Sequence, residues 1–333
     1  MSQAIAAVAG VKPFILRKGI ATVSDLADGQ TVGSFLGHGG GTAYYLDPTD
    51  GNDSNDGKSP ANAVLTLPVA YALLADGEHD ILYYIAGTSS ITLSAAFTWA
   101  KSHTHFIGVC APTHAAQRAR IFQLSTLIGA SPLITISGSG CVFANLYVFQ
   151  GVADATSLIN ISVTGGRNYF ENFHFAGGGH ATQAVDGGAS LKLDGAEENT
   201  FDGCTVGVDT IDAATGMMGL LFDGEAHRNL FRGCIFRMRA GNTGAGFVEV
   251  ADATGIDRDN TFDNCLFINN STSNDMASAF VIPAMGEPRV LLLKDCMFHN
   301  VTKLDASDRG VLFGNMNAVT GADLSGVAVQ LVT

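Results

Sequence analysis

The eight residues 199–206 read Asn-Thr-Phe-Asp-Gly-Cys-Thr-Val, and this stretch recurs along the chain. Residues 229–236 read Asn-Leu-Phe-Arg-Gly-Cys-Ile-Phe, and residues 260–267 read Asn-Thr-Phe-Asp-Asn-Cys-Leu-Phe. More divergent copies begin at positions 141, 168 and 291, so that the aligned third positions are 27, 31, 30, 31 and 31 residues apart. Those third positions are Phe143, Phe170, Phe201, Phe231, Phe262 and Leu293. A self-similar period of about 30 residues indicates a solenoid or another repeat array.

The pattern inside each copy predicts short strands. The third, sixth and eighth positions are apolar, the fourth and fifth are mostly polar or Gly, and a second apolar run such as 191–193 or 220–222 lies between copies. Propeller blades need four strands in ~40–50 residues, and the leucine-rich frame is absent. The sequence therefore predicts an all-β fold, a right-handed parallel β-helix with about seven or eight rungs from residue ~80 to ~315.

The repeat also predicts what lies inside the rungs. Its cysteines would stack at the ~4.8 Å spacing of neighbouring strands, whereas a zinc site needs ligands that converge tetrahedrally. We therefore predict free thiols that act as small core residues. The predicted interior residues are Cys204, Cys234, Cys265, Cys296, Phe201, Phe231 and Phe262. The first position of the repeat predicts a side-chain amide ladder, as in cross-β stacks; its members are Asn199, Asn229 and Asn260.

Composition excludes several classes of partner. The 333 residues include 18 Lys and Arg against 31 Asp and Glu, a formal charge of −13, so the protein's own field repels a nucleic acid. The apolar start of the chain has no basic residue before it, and no stretch is apolar enough to cross a bilayer. We therefore predict no nucleic-acid or membrane partner, synthesis in a cytoplasm and reduced thiols.

The two ends of the chain differ from the repeats. Residues 1–41 predict an extended arm that ends in a Gly cluster, and residues 42–79 predict a cap made of a strand, a polar loop and a short amphipathic helix. Such a cap protects the open first rung from edge pairing. The β-helix would occupy residues 80–315, and the tail 316–333 contains a strand-like segment at 327–332.

The cap carries a resemblance to a known family. Residues 44–57 read Tyr-Tyr-Leu-Asp-Pro-Thr-Asp-Gly-Asn-Asp-Ser-Asn-Asp-Gly, and a Leu-Thr-Leu and an Ala-Leu-Leu follow before residue 75. This opening resembles the start of pectate-lyase-like right-handed parallel β-helix proteins, in particular those of bacteriophage tailspikes and other virion components. The resemblance implies a homotrimer that assembles with other virion proteins such as the capsid shell. Enzymes and purely structural proteins share this fold, so the fold alone does not choose between them.

Two aspartates are the best candidates for catalysis. Asp194 and Asp223 occupy similar rung positions, with Glu225 and Glu249 nearby, and a glycoside hydrolase needs a carboxyl pair on its solvent face. The alternative is local, because both aspartates precede glycine in turn dipeptides. A lyase would need a basic residue beside a carboxylate or Ca²⁺, and residues 237 and 239 supply arginines that could equally belong to a solvated strand face.

Metal and cofactor motifs are not recognisable. The acidic loop at 50–57 fails the EF-hand frame, because Ala63 stands where the bidentate Glu is needed. His103, His105 and His114 lack metal-ligand spacing, which favours surface or packing roles. We predict no metal and no cofactor.

The arm supplies the candidate partner-binding residues. An apolar patch followed by two basic residues could order on docking to an acidic or apolar shell, and the alternative is a strand packed on the chain's own β-helix. The patch consists of Phe14, Ile15, Leu16, Arg17 and Lys18. We therefore predict a phage virion structural protein, a capsid decoration (cement) or tail-associated protein located in the virion. The alternative is a tailspike depolymerase, a hydrolase or lyase acting on host surface polysaccharide through Asp194 and Asp223.

Overall fold

The computed structural model describes residues 41–113, 115–283 and 289–304, together with the backbone of 311–313. It shows an all-β parallel β-helix of about seven turns with very little helix, which confirms the predicted fold class. The arm patch at 14–18 and the tail segment at 327–332 lie outside the described residues.

Each complete rung contributes one strand to each of three parallel sheets, and strands are numbered along the chain. Within the described residues, sheet 1 consists of β1 (Ala43–Leu46), β2 (Ile81–Ile85), β5 (His105–Val109), β8 (Val142–Ala144), β11 (Tyr169–Glu171), β14 (Thr200–Asp202), β17 (Leu230–Arg232), β20 (Asp259–Asp263), β23 (Val290–Lys294) and β25 (Val311–Phe313). Sheet 2 consists of β3 (Ile91–Leu93), β6 (Arg120–Gln123), β9 (Tyr147–Phe149), β12 (His174–Ala176), β15 (Thr205–Val206), β18 (Ile235–Met238), β21 (Leu266–Asn269) and β24 (Met297–His299). Sheet 3 consists of β4 (Phe97–Trp99), β7 (Ile134–Ile136), β10 (Ile159–Val163), β13 (Ala189–Asp194), β16 (Met218–Asp223), β19 (Gly246–Val250) and β22 (Phe280–Val281).

The repeat builds sheet 1 and the corner into sheet 2. Phe170, Phe201, Phe231 and Phe262 pair in register, and all four are fully buried. Their ring centroids are 4.7, 4.4 and 5.0 Å apart in nearly parallel planes, which forms an aromatic stack along the axis. Burial of each such side chain contributes about 1.5–3 kcal/mol, and stacking adds to it.

The fifth position of the repeat turns the chain from sheet 1 into sheet 2. Its backbone lies in the left-handed region at Asn172, Gly203, Gly233, Asn264 and Asp295, with φ of 46, 59, 60, 55 and 52°. Gly adopts this conformation without strain, and Asn and Asp tolerate it better than other residues. This corner explains why only those three residue types occur at that position of these copies.

The amide ladder predicted at the first position is confirmed. Asn199 Nδ2 donates to Asn229 Oδ1 at 3.0 Å, and Asn229 Nδ2 donates to Asn260 Oδ1 at 2.9 Å. The same oxygens also accept backbone N–H groups, at 3.0 Å from both Asn199 and Asn229. Each buried amide therefore joins two successive rungs.

The cysteines are unpaired and face inward. Cys204, Cys234 and Cys265 are buried, whereas Cys296 is half-buried at the last described full rung. Each Sγ lies 3.3–3.5 Å from the backbone oxygen of the repeat's third residue one rung earlier. Burial raises the pKa of Cys234 well above its ordinary value, so the thiol stays neutral and behaves as a core residue.

The strand of the N-terminal cap is the first strand of sheet 1. β1 pairs in parallel with β2, so sheet 1 starts at Ala43, whereas the first rung was expected at about residue 80. After a 3₁₀ turn at Pro60–Asn62, helix α1 (Leu67–Leu73) buries Leu67 and Ala70 against the core. Its Tyr71 ring packs 4.9 Å from Trp99. No helix of the described residues is long and apolar enough to cross a bilayer.

Candidate functional site

The predicted carboxyl pair lies on the outer face of sheet 3. Asp194 and Asp223 are register partners on β13 and β16, and Lys192 lies beside them. Lys192 Nζ is 3.0 Å from Asp194 Oδ2 and 2.8 Å from Asp223 Oδ2, so one cation contacts both carboxylates. The structure thus brings the two aspartates together, but with an ammonium group between them.

This cation decides what the pair can do chemically. Glycoside hydrolysis with two carboxyl groups needs one of them as a proton donor, whereas here both carboxylates form ion pairs with Lys192. Hydrogen bonds from the ammonium to both carboxylates raise the pKa of Lys192 against the opposing effect of burial. Lys192 is therefore protonated and cannot act as a general base. Asp223 also accepts the Gly224 N–H at 2.8 Å, a local turn contact.

Glu249 is a third half-buried acid of the same face. It lies on β19, where it is the register partner of Leu221. Burial, reinforced by the charge of Asp186, raises the pKa of Glu249. A single acid with a raised pKa can donate a proton, but hydrolysis also needs a second carboxylate as base or nucleophile.

The two arginines considered for a lyase lie on or near β18 in sheet 2. Arg237 Nε lies 3.3 Å from Asp209 Oδ2, an ion pair without the alignment of a hydrogen bond. Arg239 Nε lies 2.7 Å from Asp212 Oδ1. Both guanidinium groups are neutralised by carboxylates of this chain, which agrees with the solvated-face alternative.

A different cluster on sheet 2 was not predicted. The guanidinium carbon of Arg120 lies 5.9 Å from the ring centroid of Phe122, 5.2 Å from that of Tyr147 and 5.6 Å from that of Phe149. We call these four residues the Arg120 patch. Arg120 is exposed, Phe122 and Phe149 are half-buried, and Tyr147 is 7% exposed. The patch is a partly exposed aromatic surface with a cation above it.

Neighbouring glycines leave room for one ring of the patch. A Cβ added at Gly151 or at Gly179 would lie 2.5 Å from atoms of the Phe149 ring. Side chains at these two positions would therefore displace that ring. Glycine at both positions lets the Phe149 ring lie directly against the backbone there.

The charge of the Arg120 patch is not compensated within the described part of the chain. Neither Arg118 nor Arg120 contacts a carboxylate there, although both are exposed. By contrast, six other arginines of the described residues form ion pairs; they are Arg167, Arg228, Arg232, Arg237, Arg239 and Arg258. In a protein of net charge −13, this region presents free positive charge.

His174 anchors the patch from the next rung. Its ring centroid is 4.9 Å from that of Tyr147, and it is 6% exposed. Its Nδ1 accepts the Ala116 N–H at 3.0 Å, and its Nε2 donates to Gly207 O at 2.8 Å. Burial lowers the pKa of His174 to about 4, so the imidazole is neutral at pH 7. It holds the segment that carries Arg118 against sheet 2.

The described residues contain no group of three or more His, Cys, Asp or Glu side chains that could hold a metal ion. His79 Nδ1 lies 3.4 Å from His105 Nε2, and burial lowers the pKa of His105 to about 3. One carboxylate of the acidic loop joins the loop to the start of α1: Asp53 Oδ1 accepts the N–H groups of Leu65 and Thr66 at 2.9 and 2.8 Å. His114 lies outside the described residues.

Comparison with known proteins supports the fold and leaves the activity open. No protein-family model matches the sequence, and the search of curated proteins gave no match. Among solved structures, the chain is similar to pectate lyase Pel9A, with a TM-score of 0.56 and 16% identity over 83% of this chain and 68% of that one. It is also similar to pectin methylesterase PemA from Erwinia chrysanthemi, with a TM-score of 0.53 and 15% identity over 79% and 80% of the two chains.

A Geobacillus virus E2 protein, ORF18, is a weaker match, with a TM-score of 0.41 and 13% identity over 74% of this chain and 55% of that one. This similarity is too low to bear on function. The chain therefore has the fold of pectate-lyase-like parallel β-helix proteins, which includes polysaccharide-acting enzymes of different chemistry.

Proposed function

We propose that the protein binds a polysaccharide on the outer face of sheet 2, at the Arg120 patch. The observation that carries the proposal is an exposed arginine above three aromatic rings, free of any carboxylate of the described chain. Aromatic faces pack against the apolar faces of sugar rings, and a guanidinium donates several hydrogen bonds to hydroxyl or acidic groups.

The shape of the face suits an extended ligand. The outer positions of sheet 2 form ladders along the axis, with Phe122 paired to Phe149 and Tyr147 paired to His174. Successive rungs are ~4.8 Å apart, so a polymer lying along the axis would meet one strand after another. Solved structures with this fold include enzymes named for polysaccharide substrates, which supports a glycan as the ligand.

Binding is the function that these contacts support better than cleavage. Lys192 lies between Asp194 and Asp223 and forms an ion pair with each of them, so neither carboxylate is free of a partner within the chain. Depolymerisation through these two aspartates is the alternative, and it predicts glycan cleavage that is lost in Asp194→Asn or Asp223→Asn. A pair that holds Lys192 for structural reasons predicts no cleavage in any of the three proteins.

The role as a phage virion component, trimeric and attached through residues 14–18, rests on the resemblance of residues 44–74 to virion β-helix proteins. It combines with the present proposal as a particle protein that contacts host surface glycan. Removal of residues 1–40 would then abolish particle binding and leave glycan binding intact. A truncated protein that still binds particles would contradict attachment through the arm.

The test is a binding panel of neutral and acidic polysaccharides with the full chain. Wild type should bind at least one, and Arg120→Ala and Phe149→Ala should each weaken that binding. Arg239→Ala is the matched control, because Arg239 is an exposed arginine near the same sheet whose partner is Asp212. Wild type that binds no polysaccharide, or equal loss in the control, would refute the proposal.

A further inference from the structure

Four buried amide side chains lie in the corner where sheet 2 turns into sheet 3. They are Gln123, Gln150, Asn160 and Gln183, and each is at most 4% exposed. We call them the amide corner. They belong neither to the Arg120 patch nor to the asparagine ladder, and they occur on successive rungs.

The register and the hydrogen bonds place these groups together. Gln123 and Gln150 directly follow the register partners Phe122 and Phe149, so their side chains point inward where the two rings point outward. Gln123 Nε2 donates to Ser157 Oγ at 3.2 Å, and Gln183 Nε2 donates to the backbone oxygen of the same residue at 2.6 Å.

Asn160 lies on β10 and reaches back to β9, the strand that Gln150 follows. Asn160 Nδ2 donates to the backbone oxygen of Val148 on β9 at 3.0 Å, and Val148 is two residues before Gln150. A Cβ added at Gly177, which follows β12, would lie 2.9 Å from Asn160 Cβ. Glycine at that position therefore lets Asn160 lie beneath the next rung.

The amide nitrogens are satisfied, and the oxygens are not. Gln123 and Gln150 each donate to a backbone oxygen at 2.7 Å, that of Leu127 and that of Ala130. These bonds fix which way the amides point. The four side-chain oxygens are buried, and no donor within the described residues reaches any of them. Buried acceptors without a donor are unfavourable, and native proteins pair nearly all of them.

We propose that the amide corner binds ordered water, which donates the hydrogen bonds that the four buried oxygens lack. The group needs donors only, and a water molecule supplies two of them without adding charge. Buried waters typically make about three hydrogen bonds to polar groups of this kind. A cation would bring its charge among neutral amides, where removal from bulk water is costly.

Water bound in the amide corner would lie directly behind the Arg120 patch and support it. Gln123 and Gln150 are the residues that follow Phe122 and Phe149, so bound water would fix the backbone on which the two rings stand. The inference does not depend on polysaccharide binding. Water in the corner and a glycan on the outer face are tested by separate measurements.

The direct test is a crystal structure of the full chain at a resolution that shows ordered water, with crystals grown in sodium and in rubidium salts. We expect density within hydrogen-bond distance of at least two of the four oxygens, and no rubidium anomalous signal there. A rubidium peak would assign a cation site and overturn the proposal. Amide oxygens paired to protein donors with nothing bound between them would also overturn it.

A solution count of long-lived waters, by oxygen-17 relaxation dispersion, gives a second test. Gln150→Leu removes one acceptor and should lower the count by at least one. Thr104→Val is the matched control, because the buried Thr104 hydroxyl already bonds Trp99 Nε1 at 2.9 Å and the Lys101 oxygen at 3.0 Å. An unchanged count in Gln150→Leu contradicts the proposal, and Gln183→Leu serves the same test if the first variant does not fold.

Discussion

The outer faces of sheets 2 and 3 both carry charged side chains, and they differ in how those charges are balanced. On sheet 3, Lys192 lies within 3.0 Å of both Asp194 and Asp223, and its side chain is 21% exposed. On sheet 2, Arg120 is exposed above three rings and contacts no carboxylate of the described residues. Charges that already pair within the chain leave little for a ligand, whereas the free arginine can still form its hydrogen bonds.

This contrast shows how to assess whether a pair of acidic residues in a β-helix can be catalytic. Two aspartates in register occupy neighbouring rungs, as a catalytic pair would, yet Lys192, two positions before Asp194, joins them in an ion triad. The spacing of one repeat period predicts only which rung position each aspartate occupies. The partner of each charge decides whether that position can act.

The largest expected loss of stability follows from a substitution in the buried aromatic stack, not on either outer face. Phe231→Ala leaves a cavity in the stack between Phe201 and Phe262, and should lower the free energy of unfolding by about 3–5 kcal/mol. Denaturant unfolding measures the loss, with Phe231→Leu as the milder control. Substitutions on the two outer faces should cost much less. A loss below about 1 kcal/mol would contradict a tightly packed stack at this rung.

The dependence of stability on pH should report on sheet 2 through His174. Burial lowers the pKa of His174 to about 4 in the folded protein, against about 6.5 in the unfolded chain. Below pH 6.5 the unfolded chain takes up a proton that the folded protein refuses, so stability falls as the pH drops from about 6.5 to about 4. The shift corresponds to a loss of about 3 kcal/mol.

The check is the difference in unfolding free energy between pH 7 and pH 4, measured for wild type and His174→Gln. In His174→Gln, the drop in unfolding free energy between pH 7 and pH 4 should lack most of the contribution of His174. The contribution of His105 should remain, because burial lowers the pKa of that imidazole to about 3. An unchanged pH dependence in His174→Gln would show that this imidazole is not held neutral by the fold.

The Arg120 patch should be the face at which a substitution changes binding without changing stability. Arg120→Ala should weaken polysaccharide binding about tenfold, because a cation over aromatic rings and its hydrogen bonds to a ligand contribute about 1–2 kcal/mol. Calorimetry or a surface-binding assay measures the affinity, and thermal unfolding measures the stability. Arg120→Lys should keep part of the affinity. Unfolding of Arg120→Ala together with loss of binding would contradict a dedicated binding role.

The smallest effect is expected on sheet 3. Lys192→Met removes the cation between Asp194 and Asp223 and should cost up to about 1 kcal/mol of stability, since these partly exposed pairs are screened by solvent. High salt should reduce the difference from wild type. Polysaccharide affinity should stay unchanged. A loss of affinity as large as that of Arg120→Ala would erase the contrast between the two faces.

The interior of the molecule was predictable from the sequence because it repeats. Residues one period apart occupy equivalent positions on neighbouring rungs, so the alignment of Phe201 with Phe231, and of Asn199 with Asn229, predicted contacts that the structure contains. A strand was predicted in the cap, but its pairing with β2 as the first strand of sheet 1 was not, since that strand carries no copy of the repeat. Its pairing depends on contacts with β2, which the periodicity does not encode.

The outer faces were only partly predictable. The period placed Asp194 opposite Asp223 but did not reveal that Lys192 joins them, because that contact depends on side-chain direction across two strands. The Arg120 patch combines residues of β6 and β9 that belong to no common motif. A sequence signal existed in the aromatic residues at 122, 147 and 149, yet nothing in it identified the arginine above them.

By itself, the sequence determined the all-β solenoid, its rung length of about 30 residues and the identity of the stacked core, because apolar burial and in-register pairing follow from periodicity. Which charges are neutralised and which remain free follows from the stacking of the rungs. Ion pairs and cation–ring contacts depend on distances of a few ångströms between side chains far apart in the chain. These distances arise only when the rungs stack, and they distinguish Lys192 on sheet 3 from Arg120 on sheet 2.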